Sequence, residues 1–158
     1  MNSSEPSTGS ASRVRQVEAI ANGTVVDHIP PAVTLKVAQL LAGINDQVFV
    51  GMNLRSGRSG RKGVVKIANR ELDQRMTSCL ALLAPEATVS IIRGYEVAEK
   101  FPVPVPERFV GIAKCANPNC VTAHERWPTR FLVTSRQPLM VRCHFCERSF
   151  AAADLALL

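Results

Sequence analysis

Four cysteines in two close pairs are the residues of this sequence best placed to do chemistry: Cys115-x4-Cys120 and Cys143-x2-Cys146. Each spacing lets two thiolates on one tight turn reach a single ion, and a strand-and-loop insert folds the two turns together. Asn117, Pro118 and Asn119 are turn formers and suit the first loop. The pattern points to one zinc ion held by Cys115, Cys120, Cys143 and Cys146, structural in role because no coordination position stays open. Two disulfides are an alternative, as is a redox pair at Cys143 and Cys146. The first needs an oxidising compartment, against which the lack of a secretory pattern argues; the second leaves the other pair unexplained.

No catalytic set accompanies the cysteines: the sequence has no nucleophile elbow, Walker loop or HExxH. His28 beside Asp27 has the right chemistry for an acid-base pair, but neighbours on a strand point to opposite faces. Ligand contacts or surface groups at a strand end are the expected role. His124 and His144 read as exposed loop residues, and Cys79 as a buried, inert thiol. Arg55, Arg58, Arg61, Lys62 and Lys66 form a basic cluster with no acidic residue inside it. That is either a solvated hairpin tip or an anion site. Lys66 is expected mid-strand with its ammonium projecting from the sheet, and Lys100 just after the last strand on the same side. A small anionic ligand fits such a pair.

Composition narrows the class. Hydrophobic residues make up 46% and charged residues 20%, as in a folded soluble chain. No apolar run reaches the roughly 18–20 residues that span a bilayer, so no membrane partner and a cytoplasmic location are expected. A net charge of +6 calls for an anionic partner, while an aromatic content of 5% leaves few rings for stacking unpaired bases.

The elements that must position these groups follow from the pattern. Residues 1–13 are Ser-, Thr- and Gly-rich and read as a disordered tail. Residues 14–21 and 24–29 are β-prone and flank an Asn22-Gly23 turn. Pro30-Pro31 leads into a helix over 32–41, then a strand over 47–53, a basic loop and a strand over 63–68. Asn69 is placed to cap a second helix carrying Leu72, Met76, Cys79, Leu80 and Leu83, before strands over 88–92 and 95–98. That order is an α+β, ferredoxin-like domain over 14–100, an antiparallel sheet with two helices on one face. Pro102, Pro104 and Pro106 mark a stiff linker over 101–107. The remainder, 108–158, is too small to fold without a staple and reads as an all-β zinc domain. Its expected core is Phe109, Ile112, Trp127, Phe131, Val133, Leu139, Val141, Phe145 and Phe150, with the apolar end 151–158 completing that core or docking on a partner.

Several separate motifs resemble one family, the regulatory chains of aspartate carbamoyltransferase. They are Val17-Glu18-Ala19-Ile20-x-x-Gly23-Thr24-Val25-Val26-Asp27-His28-Ile29-Pro30, Asn53-Leu54-x-Ser56-Gly57-x-x-Gly60-Arg61-Lys62 with Lys66-Ile67, Ala84-Pro85-x-Ala87-Thr88-Val89, and Tyr95-Glu96-Val97 with Lys100. Cys115-x-Asn117-x-Asn119-Cys120 and Cys143-x-x-Cys146-Glu147 complete the resemblance. It implies a non-catalytic chain that binds CTP as inhibitor and ATP as activator. It also implies self-dimers, three of which join two catalytic trimers through the zinc domain, and no nucleic-acid partner. Ile20 and Tyr95 would frame the base through backbone groups, Asp27 and Lys66 would reach the ribose, and Lys100 and Val97 would face the phosphates. Val25, His28, Lys62, Ser90 and Ile92 complete the implied site, and Asn117, Asn119 and Glu147 would contact the catalytic chain. Two positions depart from the pattern and bear on effector preference: Ser90 replaces the usual asparagine near the triphosphate, and Arg55 stands where proline is common. The rival reading is a zinc-ribbon protein that binds nucleic acid, which the charge and the four cysteines also allow.

Overall fold

A computed structural model describes residues 18–158. The expected tail and the start of the run over 14–21 lie outside the described residues. The first sheet contains β1 (Gly23–Ile29), β2 (Val48–Ser56), β3 (Gly60–Ala68), β4 (Thr88–Arg93) and β5 (Glu96–Pro102) in the spatial order β2-β3-β1-β4-β5, with all neighbours antiparallel. α1 (Thr34–Leu41) joins β1 to β2 and α2 (Gln74–Leu83) joins β3 to β4. This is the ferredoxin-like arrangement with one strand added beyond β4.

Strand alternation sorts the side chains onto two faces. Val26 of β1, Val65 and Ile67 of β3, and Val89 and Ile91 of β4 are buried in one core with Val37 and Leu41 of α1 and Leu80 of α2. Each such side chain withdrawn from water contributes about 1.5–3 kcal/mol. Thr34 and Gly63 let α1 lie close to the sheet: a Cβ at residue 63 would overlap the Thr34 side chain. β1 begins at Gly23, whose φ of +133° and contact with the Ile67 carbonyl admit no side chain.

Several local expectations are corrected. Residues 18–22 form no strand; instead Asn69 N–H donates to Asn22 O at 2.9 Å and Tyr95 N–H to Ala21 O at 2.8 Å. β2 and β3 extend through most of the basic stretch, leaving only 57–59 as a turn. The cap of α2 is Asp73, whose carboxylate accepts from Met76 N–H at 2.7 Å, not Asn69, which turns the chain just after β3 at φ +57°. β5 runs through Pro102, and Val103 N–H donates to Ala87 O at 3.0 Å, so the start of the expected linker is packed against the sheet.

The second sheet has β6 (Arg108–Val110), β7 (Arg130–Arg136), β8 (Leu139–Cys143) and β9 (Ser149–Ala151), in that order. Phe109, Ile112, Phe131, Leu139 and Val141 fill its core, and Val133, Phe145 and Phe150 are partly buried against it. Trp127 was expected there too, but it is 56% exposed and leans on Phe145 with ring centroids 5.7 Å apart. The apolar end completes the core: Leu155 is buried, Ala113 bridges Leu157, and Leu158 N–H donates to Ile112 O at 2.9 Å. Arg75 of α2 reaches across to Gly111 O at 3.1 Å. No helix among the described residues is long and apolar enough to cross a membrane.

Candidate ligand face and metal centre

The cysteine turns meet. Sγ of Cys115 lies 3.7 Å from Sγ of Cys146, and Sγ of Cys120 lies 3.8 Å from Sγ of Cys143. All four ligand atoms fall within 4.8 Å of one another. A disulfide needs sulfurs about 2.05 Å apart. A tetrahedron of thiolates with metal–sulfur bonds of about 2.3 Å has edges near 3.8 Å, so the cluster fits one ion. This disposes of the disulfide alternative.

The turns also supply what thiolates require. Asn117 N–H donates to the Cys115 sulfur, and the N–H groups of Phe145 and Cys146 to that of Cys143. Thr122 Oγ1 donates to Cys120 Sγ at 3.2 Å. Burial pushes the Cys115 and Cys143 thiols up. At Cys146 burial raises the pKa, but hydrogen bonds from Arg148 N–H and the Asn117 side chain outweigh it and lower the thiol to about 7. Glu147, at φ +59°, turns the chain so that its N–H returns to Cys143 O at 3.0 Å. Asn117 is buried and its Oδ1 accepts from Asn119 N–H at 3.1 Å, so its side chain serves the turn; Asn119 and Glu147 are exposed. His144 is an exposed turn residue as expected, whereas His124, also exposed, ends a short helix, α3 (Val121–His124), with its Nε2 3.0 Å from Pro118 O.

The residues of the implied nucleotide site gather on the sheet face opposite the helices. Lys66 lies opposite Val25, Val25 opposite Ser90, and Ser90 opposite Lys100, one row across four strands. Asp27 projects two residues along β1 from Val25, and Ile92 two residues along β4 from Ser90. Ser90 and Ile92 are 8% exposed, whereas Lys100 and Val97 are open to water. The segment 18–22 crosses one end of this face with Ile20 buried, and Lys66 Nζ donates to Glu18 O at 2.8 Å. Lys66 therefore does not project unengaged. Tyr95, at φ +64°, caps the turn before β5 and is 71% exposed.

Asp27 and His28 depart from the expected opposition. His28 has φ +60°, so the strand geometry fails there. Its N–H donates to Asp27 Oδ1 at 2.6 Å, and its Nδ1 lies 3.7 Å from Asp27 Oδ2. Lys62 Nζ donates to Asp27 Oδ2 at 2.8 Å. Burial raises the Asp27 carboxyl, but Lys62 and the His28 N–H more than offset it and hold the pKa below the usual carboxylate value. Cys79 is buried on α2, with its thiol raised by that burial, and is far in sequence from the ligand turns.

A cleft of about 650 Å³ lies beside the metal turns, lined by Cys115, Trp127, Pro128 and Leu158 among others, and not on the sheet face where the ligand residues gather. It is mainly apolar, and the implied nucleotide residues do not line it.

Comparison with known proteins gives one answer. Residues 15–104 match the family model described as aspartate carbamoyltransferase regulatory chain, allosteric domain, and residues 107–156 match the metal binding domain of the same chain. The aspartate carbamoyltransferase regulatory chain of Pyrococcus abyssi is 46% identical over 144 residues, covering 89% of this chain and 95% of that one. That of Thermococcus onnurineus is 44% identical over 146 residues, with 89% and 95% covered. That of Porphyromonas gingivalis is 43% identical over 144 residues, with 90% and 95% covered. With an allosteric domain carried on the five-stranded sheet and a metal-binding domain built around the four cysteines, the chain belongs to the aspartate carbamoyltransferase regulatory chain family.

Proposed function

We propose that this chain senses CTP and ATP on the open face of its first sheet and passes the outcome to a catalytic chain through a zinc-held docking domain. As a regulatory chain it is not the catalyst. The observation that carries the nucleotide reading is the row Lys66–Val25–Ser90–Lys100, with Asp27 and Lys62 beside it. Three strand spacings make that row about 14 Å long, a base-to-phosphate span rather than a single-phosphate pocket. Lys100 takes phosphate oxygens as a point charge, with the exposed backbone at Val97 beside it. Asp27 and Lys66 take the ribose hydroxyls, exchanging the bonds they now make to Lys62 and Glu18. Ile20 and Tyr95 offer backbone groups to the base, Val25 and Ile92 form the floor, and His28 and Ser90 stand at the margin.

Both nucleotides use one site, so their opposite effects come from different affinities for two quaternary states of the assembly. Zinc suits the four thiolates, and holding both cysteine turns rigid is what it supplies. The exposed Asn119 and Glu147 beside those turns are offered to the catalytic chain. β2 is a sheet edge with Val50 and Met52 exposed, which supports self-dimers and an assembly of two catalytic trimers with three regulatory dimers. Unbridged cysteines suit a cytoplasmic location.

Calorimetric titration of CTP and of ATP into the full-length zinc-loaded chain tests the reading. Lys100→Ala should weaken both by about 10-fold or more, the worth of a charge-assisted hydrogen bond. Unchanged binding would remove the sheet face from consideration.

A further inference from the structure

The outward face of the second sheet carries an arrangement that neither the metal centre nor the nucleotide face uses. Arg108, Leu132 and Arg142 lie opposite one another across β6, β7 and β8. In the adjoining row Val110 lies opposite Arg130, whose carbonyl accepts from His144 N–H at 2.8 Å. All six side chains are exposed, while Phe109, Phe131 and Cys143 from the alternate positions are buried. Cations and aliphatic groups therefore alternate over a patch about 10 Å by 7 Å. A depression of about 450 Å³ opens between them, lined by five of the six together with Phe131.

Among the described residues, no carboxylate lies within 4.0 Å of Arg108, Arg130 or Arg142, in contrast to Arg58, Arg70 and Arg93, which are all paired. Arg130 lies diagonal to both Arg108 and Arg142, so three like charges share this face with no counter-charge beside them. We infer that it is a docking surface for an acidic, partly apolar protein surface, and that in this assembly the catalytic chain presents it. The inference rests on the docking role proposed for the metal-binding domain. It adds where on the domain the contact lies and what the partner offers there.

Two features favour a protein over a polyanion. The cations are arginines with no lysine among them, and arginine rather than lysine is enriched at protein interfaces. Val110 and Leu132, 52% and 38% exposed, stand between the charges where a phosphate track needs polar groups. His144, between two metal ligands in sequence, also joins the patch to the second cysteine turn.

The test uses the full-length zinc-loaded chain and its own catalytic trimer, with affinity measured in salt from about 0.1 to 0.5 M, where screening changes steeply. Arg130→Glu and the double variant Arg108→Gln/Arg142→Gln are compared with Lys36→Gln, a charge change on α1. Zinc content and far-ultraviolet dichroism confirm that each variant is folded. The expected result is a loss of affinity of about 10-fold or more for Arg130→Glu, smaller for the double variant, with the gap narrowing as salt rises. Folded variants that bind within about two-fold of the parent would overturn the face while leaving zinc-domain docking intact. A parent chain that does not bind the trimer at all would overturn both. Binding of duplex DNA that Arg130→Glu abolishes, with trimer binding untouched, would assign the face to a polyanion and likewise overturn the inference.

Discussion

The Lys62 ammonium sits 2.8 Å from the Asp27 carboxylate, joining β1 to the basic hairpin across the edge of the proposed nucleotide face. Both side chains are mostly buried, at 20% and 30% exposed, so the pair is only partly screened by solvent. A carboxyl whose folded pKa is lowered stabilises the fold above its ordinary value, 3.8 here, and that contribution is lost as pH falls through the lowered one. Asp27→Asn should therefore cost about 1 kcal/mol near neutral pH, with the deficit closing below about pH 4. Urea unfolding followed by dichroism from pH 3 to 7 reads the difference. A deficit that grew on acidification would contradict the pairing.

Removing one metal ligand should undo one half of the chain and spare the other. Structural zinc contributes about 10–16 kcal/mol in peptide models, more than a domain this small can replace. Cys146→Ser is expected to lose stoichiometric zinc and to release catalytic trimers that stay active but no longer answer to CTP or ATP. CTP binding to the regulatory chain itself should persist. Zinc analysis, sedimentation and the nucleotide response of the released trimers check each part. Trimers that kept their nucleotide response would refute the coupling role.

Ser90 sits between Val25 and Lys100 in the cross-strand row, almost wholly covered, with a side chain too short to reach far above the sheet. Ser90→Asn places a longer amide donor at the same point of the row. It should tighten CTP binding by about 2–10-fold, the net worth of one added hydrogen bond. Calorimetry decides, and weaker binding would mean that the shorter side chain is adapted to this site.

Gly23→Ala tests the backbone that holds β1 against β3. The new methyl group would run into the Ile67 carbonyl, which is backbone and cannot swing aside, at a φ that other residues avoid. A loss of about 3 kcal/mol or more in unfolding free energy is expected. A near-neutral result would show that β1 can shift its register at that end.

How much of this was legible in the sequence depended on the range of the forces involved. Cysteine spacing is local chemistry, and Cys115, Cys120, Cys143 and Cys146 meet as the spacing required. The strand order followed because periodicity at Val65, Ile67, Val89 and Ile91 reports the buried face directly. Asp73 was missed as the cap because Asn69 has the same capping chemistry a few residues earlier, and only the length of β3 decides between them. The positive φ at His28 broke the alternation on which the opposition of Asp27 and His28 was argued. Trp127 is expected in the core on hydrophobicity alone, but residues 125–128, which follow the short helix Val121–His124, form an exposed loop that cannot carry it inward. The charged face of the second sheet was invisible because Arg108, Arg130 and Arg142 come together only through strand register.

The placement of Trp127 also has a practical side. It is the chain's one tryptophan, and it rests on Phe145, between two of the metal's cysteines. Its fluorescence is therefore a built-in reporter for one domain: an emission melt will follow the metal-binding half and remain blind to unfolding of the allosteric half, which must be watched through Tyr95 or by another optical method.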